Sequence, residues 1–343
     1  MSCNYLCSSI SQCLPHFISY IPIAPTILSP RSPFRPSRRR QLRTFAISAD
    51  NSFTWDDVFR VPDSPQNDSS DLSAYLDKVN LCNRDLEKQC EFMPFVIDDQ
   101  VIGYVHHGFA QFLKPFHDVF IFPQDNNYGS HLGCHCTLHA NLTTPKDRTK
   151  AVANVIKSLG ELIPGIRNEF YPVASAFGEP IYFSLERAAA PYFGIKKQRK
   201  STYPGMLDQL VAGGLPSDIN CGENLIKECE EEAGIPRSIS HKAIPVGVVS
   251  YIDIEGYRMK RDVLFCYDLK LPDGFTPHNR DGEVESFRLV PVRQVANIIR
   301  KTPFFKANCN LVIIDFLFRH GHIRPEEFGY LRLLQSLRSG YCS

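Results

Sequence analysis

Three glutamates, Glu228, Glu231 and Glu232, lie within a stretch of five residues and are the strongest candidates for a functional site in this sequence. On an exposed helix, carboxylates three or four residues apart repel each other by roughly 0.2–0.5 kcal/mol per pair, and no lysine sits among these three. A divalent cation would remove this repulsion, because Mg²⁺ prefers oxygen ligands and is usually held by one or two carboxylates together with substrate phosphates. The alternative is a solvated acidic helix face without a ligand.

A short helix is needed to hold these carboxylates at this spacing. Asn220, with Glu223 three residues later, predicts a capping box at the start of the helix, and Gly234 is suited to the left-handed residue that ends it. At about 100° per residue, one side of the helix is apolar and consists of Leu225, Ile226, Cys229 and Ala233. The helix is therefore expected to bury that side and to present the three carboxylates together beside it.

The stretch 213–235 resembles the Nudix box, a loop–helix–loop signature that reads G-x5-E-x7-R-E-U-x-E-E-x-G-U, where U is aliphatic. The positions that agree are Gly213, Glu228, Glu231, Glu232, Gly234 and Ile235, with Cys229 in an aliphatic position. Ile219 stands where the signature has its first glutamate, and Lys227 replaces the arginine. Lysine keeps the positive charge but lacks the bidentate fork of arginine.

The resemblance implies that Glu228 and Glu232 are the main ligands of Mg²⁺ or Mn²⁺, with Glu231 a further ligand or the base that acts on water. In Nudix folds a glutamate beyond the box often reaches back to the metals. Glu285 or Glu283 is the candidate here, and Glu285 lies just before a predicted strand. An exposed loop acid without a role is the alternative for each of these two residues.

The first 49 residues contain six arginines and neither aspartate nor glutamate, and they are rich in serine and proline. This composition is typical of an organelle transit peptide, and the opening residues favour a plastid. We therefore expect a disordered chloroplast transit peptide over residues 1–48, cleavage near 45–49, and a mature protein in the stroma. A basic arm that binds nucleic acid is the alternative. The apolar patch at 17–28 contains two prolines and is too short to span a bilayer, so no membrane association is expected.

Charge also bears on the partners of the mature chain. Without the six leader arginines, 32 basic residues remain against 37 acidic ones. Because a general nucleic-acid binder is expected to be basic, we expect no nucleic-acid partner. The expected partner is a small-molecule diphosphate substrate, and the sequence gives no signal of an oligomeric state.

Residues 50–195 are predicted to form an α+β leader domain. Its expected elements are a helix over 71–90, a hairpin over 95–105, strands at 119–122 and 134–142, a helix from Thr144 to Leu159, and a short helix over 183–193. The cluster of His131, Cys134, His135, Cys136 and His139 alternates between the two sides of a strand. This alternation favours a half-buried strand over a zinc site, since zinc ligands converge on one point.

The leader domain resembles the one that precedes the Nudix module in plant plastid Nudix hydrolases and in fungal proteins that include thiamin pyrophosphokinase fusions. The likeness rests on the stretches 183–191, 203–208 and 211–214. Relatives of this group are linked to hydrolysis of nucleoside diphosphate derivatives and of damaged thiamin diphosphate analogues, and the resemblance implies that substrate range.

Residues 196–343 are predicted to form the Nudix domain, with strands over 243–254, 262–269 and from Phe287, and helices over 292–300 and 309–321. Nudix domains normally carry a β-hairpin before the box. Here only 196–202 precede the 203–208 stretch, and a hairpin with its turn needs about twelve residues. Either the sequence comes from a splice form or gene model that lacks an exon, or leader strands take over the missing sheet edge.

The sequence therefore predicts an α+β fold, namely a Nudix α/β/α sandwich with a mixed sheet and a loop–helix–loop box, preceded by a smaller α+β leader domain. The expected activity is metal-dependent hydrolysis of a diphosphate bond that gives a monophosphate. A catalytically weakened Nudix scaffold that binds a phosphorylated ligand or a protein is the alternative, which Ile219 and the missing hairpin favour. A kinase is disfavoured, because the sequence lacks a GxxxxGK[ST] loop.

Overall fold

The computed structural model describes residues 2–9, 18–23, 53–62, 71–123, 134–175, 179–197, 205–215 and 219–340. The strands are β1 (Ser2–Ser9), β2 (Ile18–Ile23), β3 (Phe92–Ile97), β4 (Gln100–His106), β5 (Phe120–Ile121), β6 (Cys136–Leu138), β7 (Phe170–Val173), β8 (Phe183–Glu186), β9 (Lys196–Lys197), β10 (Val211–Gly214), β11 (Ile244–Glu255), β12 (Arg258–Leu269) and β13 (Ser286–Pro291). The α-helices are α1 (Trp55–Phe59), α2 (Ser73–Asn80), α3 (His107–Leu113), α4 (Pro145–Ser158), α5 (Cys221–Ala233), α6 (Arg237–Ser240), α7 (Val292–Lys301), α8 (Ala307–Arg319) and α9 (Tyr330–Ser336). None of the helices in these ranges has the length and apolar character needed to cross a bilayer.

A mixed seven-stranded sheet organises the second half of the chain. Its order is β11-β12-β1-β2-β13, with β10 paired to β1 and β9 paired to β12. Two smaller sheets, β4-β3-β6-β5 and β7-β8, belong to the first half.

Alternate residues of β12 face opposite sides of the large sheet and pack against different helices. Leu264 and Cys266 lie in the buried cluster that contains α7 and α8. Leu269 lies instead in the cluster with Leu225 and Cys229 of α5. Because side chains alternate along a strand, this one strand contributes to two cores, and a helical layer covers each face of the sheet.

The leader sequence folds largely as expected where the local signals are strong. Asp98 and Asp99 adopt positive φ angles of 49° and 60° in the tight turn between β3 and β4. Thr144 caps α4 by accepting a hydrogen bond from the Asp147 amide, with Pro145 in the first turn. The alternation of Cys136, Thr137 and Leu138 in β6 is also observed, since the first and third are buried.

Two predicted helices of the leader are wrong in part. The helix expected over 71–90 ends at Asn80, and a 3-10 helix follows at Leu86–Glu91. The helix expected over 183–193 is instead strand β8 followed by the 3-10 helix Ala190–Phe193. β8 pairs with β7 along its whole length, and this pairing with another segment decides the local structure of 183–186.

Most of the buried residues of 50–195 fall into two clusters. Val58, Tyr75 and Val79, from α1 and α2, lie in the buried cluster of α7 and α8. A separate buried cluster begins at Met93 and ends at Ile195. The self-contained part of the leader therefore begins near β3, whereas its first helices belong to the core of the second half.

Within residues 1–48 the structure describes two strands, β1 and β2, where disorder was expected. Both strands lie in the large sheet, with β1 parallel to β12 and β2 antiparallel to β13. Neither segment contains a charged residue, so both can join open sheet edges without bringing charge into the sheet. The expected cleavage region at 45–49 lies outside the described residues.

An ion-pair cluster ties the end of β12 to the end of α8. The Asp268 carboxylate accepts hydrogen bonds from the Arg319 guanidinium at 2.6 and 3.1 Å and lies 2.8 Å from His320 Nε2. Arg319 Nε also donates to Asp315 Oδ2 at 2.7 Å. Burial acts to raise the pKa of Asp268, but the hydrogen bonds from His320 and Arg319 outweigh it, so the pKa lies below its ordinary value.

We expect Asp268→Asn to lower the free energy of unfolding by about 3 kcal/mol near pH 7, because Arg319 loses a partly buried partner. Since folding depresses the pKa of Asp268, its contribution is complete above the unfolded pKa of about 4 and is lost as the pH falls through the folded value. Denaturant titrations of both proteins between about pH 3 and 7 check this. The control is Asp273→Asn, which removes the same charge from an exposed turn. Equal stability of the Asp268 variant and the unaltered chain near neutral pH would contradict the prediction.

Candidate active site

Helix α5, which carries the three clustered glutamates, has the ends that the sequence predicts. The Asn220 side chain accepts a hydrogen bond from the Glu223 amide at 2.9 Å, and Gly234 adopts a φ of 61° at the C-cap. In a capping box the Glu223 carboxylate would also accept a hydrogen bond from the Asn220 amide. Here the carboxylate instead accepts hydrogen bonds from the Arg237 guanidinium at 2.8 and 3.0 Å. This exposed ion pair joins the first turn of α5 to α6.

The apolar side of α5 packs against the sheet. Leu225, Cys229 and Ala233 are buried, whereas Ile226 is half-buried beside an open cavity. Burial, together with the charges of Glu232 and Glu228, raises the pKa of the Cys229 thiol. A thiol with a raised pKa forms little thiolate, so Cys229 is a packing residue and not a nucleophile.

Glu228 and Glu232 lie one helical turn apart on the side of α5 that faces β10, and both are buried. Their exposed fractions are 8% and 4%, which is unusual for glutamates and marks a specific environment. The amide of Ala212 in β10 donates to Glu232 Oε2 at 3.0 Å. The structure thus brings these two carboxylates together against the strand that opens the box.

Gly213 is the reason that Glu228 can approach β10 so closely. A Cβ atom at position 213 would lie 2.3 Å from Glu228 Cδ and 2.6 Å from its Oε1. Asn224, one turn before Glu228, is fully buried and donates to the Gly214 carbonyl at 3.1 Å. Its Oδ1 atom is buried and has no hydrogen-bond partner. The interface of α5 with β10 is therefore polar, and glycine is needed there for space.

The third carboxylate of the cluster lies elsewhere. Glu231 has a half-exposed side chain, and Lys227 Nζ lies 3.1 Å from its Oε2 and 3.8 Å from Glu228 Oε1. The expectation that no lysine offsets the repulsion between these carboxylates is wrong, because Lys227 lies one turn before Glu231 and pairs with it. Glu231 points about 100° away from Glu232 around the helix, so it faces the cavity instead of β10.

A cavity of about 680 Å³ lies along this outer side of α5. Its lining includes Glu231, three cationic side chains (Lys227, Arg237 and Arg280) and the apolar Ile219. Each cation pairs with an acid of α5, as Arg280 does with Glu230 Oε1 at 3.2 Å. The Nudix signature has its first glutamate at the position of Ile219, so this substitution makes one wall of the cavity apolar.

The loop after β12 is held on the C-terminal end of α5. The His278 amide donates to the Ala233 carbonyl at 3.0 Å, and the His278 ring lies so close to Gly234 that a Cβ there would be 2.3 Å from Cε1. The same loop brings Arg280 to the cavity. Glu283 and Glu285 lie further along it and are both exposed, and Glu285 comes directly before β13.

The arrangement fits a divalent cation held by two protein carboxylates. Mg²⁺ keeps several waters and is commonly held by one or two carboxylates plus substrate phosphates, and Glu228 and Glu232 supply such a pair. Within the described ranges, no group of three or more His, Cys, Asp and Glu side chains is close enough to hold a metal ion. The role of Glu231 as a further ligand stays a prediction. Of the histidine and cysteine cluster, His131 lies outside the described residues.

Two similar proteins of a plant decide the family. A protein of Arabidopsis thaliana named Nudix hydrolase 20, chloroplastic, is 56% identical over 337 residues, which cover 91% of this chain and 90% of that protein. Nudix hydrolase 24, chloroplastic, of the same plant is 55% identical over 339 residues, with the same coverage of both chains. The chain belongs to the Nudix hydrolase family. Its fold is the Nudix α/β/α sandwich, preceded by a smaller α+β leader domain.

Two further similarities concern the leader of this Nudix hydrolase. Residues 74–197 match a family described as a domain of unknown function, DUF4743. An uncharacterized protein of Saccharomyces cerevisiae, YJR142W, is 35% identical over 210 residues, covering 50% of this chain and 60% of that protein. Both plant relatives are named chloroplastic, which confirms the predicted chloroplast location.

Sequence reasoning missed several residues of this site. Asn224 precedes Glu228 and Glu232 by four and eight residues, and this spacing alone would have placed it on the same side of α5. Arg280 and His278 carried no such signal, because their approach to α5 depends on the path of a loop. The contact of the Ala212 amide with Glu232 likewise depends on the packing of β10 against the helix.

Proposed function

We propose that this chain hydrolyses the phosphoric anhydride bond of a small-molecule diphosphate in the chloroplast stroma, with Mg²⁺ or Mn²⁺ as the cofactor. The substrate classes that its resemblances favour are nucleoside diphosphate derivatives and thiamin diphosphate-like compounds. The product is a monophosphate together with the second phosphorylated fragment or phosphate.

One observation carries the proposal, namely the buried pair Glu228 and Glu232 against Ala212 and Gly213 of β10. Burying two carboxylates side by side is costly unless a cation or hydrogen-bond donors compensate for it. The Ala212 amide compensates for one oxygen of Glu232. We infer that the pair would hold a divalent cation, whose positive charge would offset part of this cost.

Each residue of the site then has a definite task. When bound, a divalent cation neutralises phosphoryl oxygens and lowers the pKa of water. Glu228 and Glu232 hold its position relative to α5, and Gly213 leaves the space that they need. Lys227 and Arg280 line the cavity on the outer side of α5, where they would supply positive charge to phosphoryl oxygens that extend into it. In this way the chain orients the anhydride and shields its charge before water attacks the phosphorus.

The base that takes the proton of the attacking water is Glu231 or Glu285. Glu231 lines the cavity and is half-exposed, so it can reach both substrate and solvent. Glu285 is exposed directly before β13. Comparing Glu231→Gln with Glu285→Gln separates the two, because loss of the base lowers kcat and removes the acid limb of the pH–rate profile, whereas loss of a surface charge changes neither.

The test is a release assay on the purified full chain with Mg²⁺ or Mn²⁺, across nucleoside diphosphate sugars, dinucleotides and oxidised thiamin diphosphates. We expect metal-dependent formation of a monophosphate from at least one class, with ¹⁸O from labelled water in only one of the two products. Binding of these compounds by calorimetry without any release would instead favour the alternative, a scaffold that binds a phosphorylated ligand, to which the apolar Ile219 at the cavity would contribute.

A further inference from the structure

Asn224 is fully buried on the side of α5 that packs against β10. It precedes Glu228 by four residues and Glu232 by eight, so the three side chains form one row along the helix, each about one turn from the next. Side chains four residues apart on a helix are direct neighbours, with Cβ atoms about 5–6 Å apart. Asn224 therefore lies next to Glu228 in the proposed cation site.

The side-chain amide of Asn224 has a defined orientation. Its Nδ2 atom donates a hydrogen bond to the Gly214 carbonyl at 3.1 Å. A carbonyl oxygen only accepts hydrogen bonds, so the nitrogen of the amide, and not its oxygen, has to lie on that side. The Oδ1 atom consequently points away from the Gly214 carbonyl. It is buried there and has no hydrogen-bond partner among the residues that the structure describes.

This arrangement is unfavourable for an asparagine whose role is packing alone. A buried acceptor that has given up its hydrogen bonds to water and finds no protein donor destabilises the folded chain. A leucine has nearly the same size and no polar atom, so it would avoid this cost. The Oδ1 atom of Asn224 therefore indicates a donor that does not belong to the protein.

The neighbours of Asn224 indicate what that donor is. Ionised carboxylates only accept hydrogen bonds, so Glu228 and Glu232 attract positive charge to the same side of α5. A Mg²⁺ ion at such a pair keeps several waters. Each of these waters turns its oxygen towards the cation and its hydrogens outwards. A water in the hydration shell of the cation is thus a suitable donor to Asn224 Oδ1.

We propose that Asn224 is a positioning residue of this cation site. Its Nδ2 atom holds the Gly214 carbonyl against α5, and its Oδ1 atom accepts a hydrogen bond from a water in the hydration shell of the cation. A neutral amide suits both tasks, because an aspartate could not donate to Gly214 and would add a third like charge one turn from Glu228. The inference rests on the proposed function, since it requires a cation at Glu228 and Glu232.

Replacing Asn224 by leucine tests this role in the full chain. Mn²⁺ binding, measured by calorimetry without substrate, should weaken by at least about 10-fold, because residues that orient the shell of a metal change its affinity by roughly 10–100-fold. The melting temperature of the metal-free chain should change by no more than about 3 °C, since the lost hydrogen bond to Gly214 is offset by removal of the unpartnered acceptor. Asn224→Ala removes the same polar atoms without requiring space for a branched side chain, and it should weaken Mn²⁺ binding as well.

Asn310→Leu is the matched control. Asn310 is another buried asparagine within a helix, and its Nδ2 atom donates to the Ala307 carbonyl at 3.2 Å. Its Oδ1 atom is also buried without a hydrogen-bond partner in the described part of the chain. It lies in α8, which packs on the other face of the large sheet. Because it is not next to the proposed ligands, this substitution should leave Mn²⁺ affinity within about 2-fold of the unaltered chain.

Glu232→Gln separates failure of this inference from failure of the proposed function. If Mn²⁺ binding weakens in Glu232→Gln but stays normal in both Asn224 variants, Asn224 is a packing residue and the inference is overturned while the cation site stands. If all three variants bind Mn²⁺ normally, the cation site itself is wrong. Equal weakening in Asn310→Leu, or weakening in both Asn224 variants only alongside a large fall in metal-free melting temperature, would make the effect structural and would also overturn the inference.

Discussion

Replacing Glu232 by glutamine is expected to reduce metal-dependent hydrolysis by about 1000-fold, which corresponds to a loss of about 4 kcal/mol of transition-state stabilisation. The reason is that glutamine has the shape of glutamate but lacks the charge that, in the proposed site, would hold a divalent cation. Its side-chain oxygen can still accept the hydrogen bond from the Ala212 amide, so the contact of α5 with β10 remains. The melting temperature should therefore change little, while Mn²⁺ binding measured by calorimetry weakens strongly.

The control for this substitution is Glu255→Gln at the β11–β12 turn. Glu255 pairs with Arg258 at 2.7 Å on the surface and is remote in sequence from α5, so turnover should stay within about 3-fold of the unaltered chain. A Glu232→Gln enzyme that keeps normal turnover and normal Mn²⁺ affinity would show that the buried pair does not hold the cofactor.

The ends of α5 could be predicted because their signals are local. Asn220 and Gly234 act on the residues beside them, and the helix starts and stops where they indicate. The orientation of the carboxylates was harder to predict. Glu231 and Glu232 are neighbours in the sequence and were expected on one face, yet one faces a cavity and the other faces β10. Which side of a helix becomes buried depends on the strand that packs there, and that strand is not part of the local pattern.

Strand pairing was the least predictable feature, for the same physical reason. A helix was expected over 183–193, but pairing with β7 makes its first four residues a strand. The sequence showed that the hairpin before the box was missing, and it left open whether leader strands replace it. The strands that lie at that place, β1 and β2, come from the region where composition indicated disorder. Composition describes what a segment can do alone, whereas an open sheet edge supplies hydrogen bonds that the segment lacks by itself.

Gly213→Ala is expected to lower metal-dependent turnover by about 100-fold, or about 2.7 kcal/mol, with only a small change in melting temperature. The added methyl group would lie 2.3 Å from Glu228 Cγ and Cδ, so the carboxylate must move. A glutamate side chain can rotate at little cost to stability, but its new position no longer faces β10 beside Glu232. The loss should therefore appear in turnover and in Mn²⁺ affinity, and should be partly recovered at high Mn²⁺ concentration.

Gly222→Ala is the matched control, because it adds the same methyl group to the same box. The nearest atom to that methyl is Asn220 Oδ1 at 3.5 Å, an ordinary contact, and alanine within a helix stabilises it by up to about 1 kcal/mol relative to glycine. This variant should keep full turnover and melt at the same or a slightly higher temperature. If Gly213→Ala matched it in turnover, the close approach of Glu228 to β10 would have no part in catalysis. Loss of stability in Gly213→Ala without loss of Mn²⁺ affinity would give β10 a purely structural role.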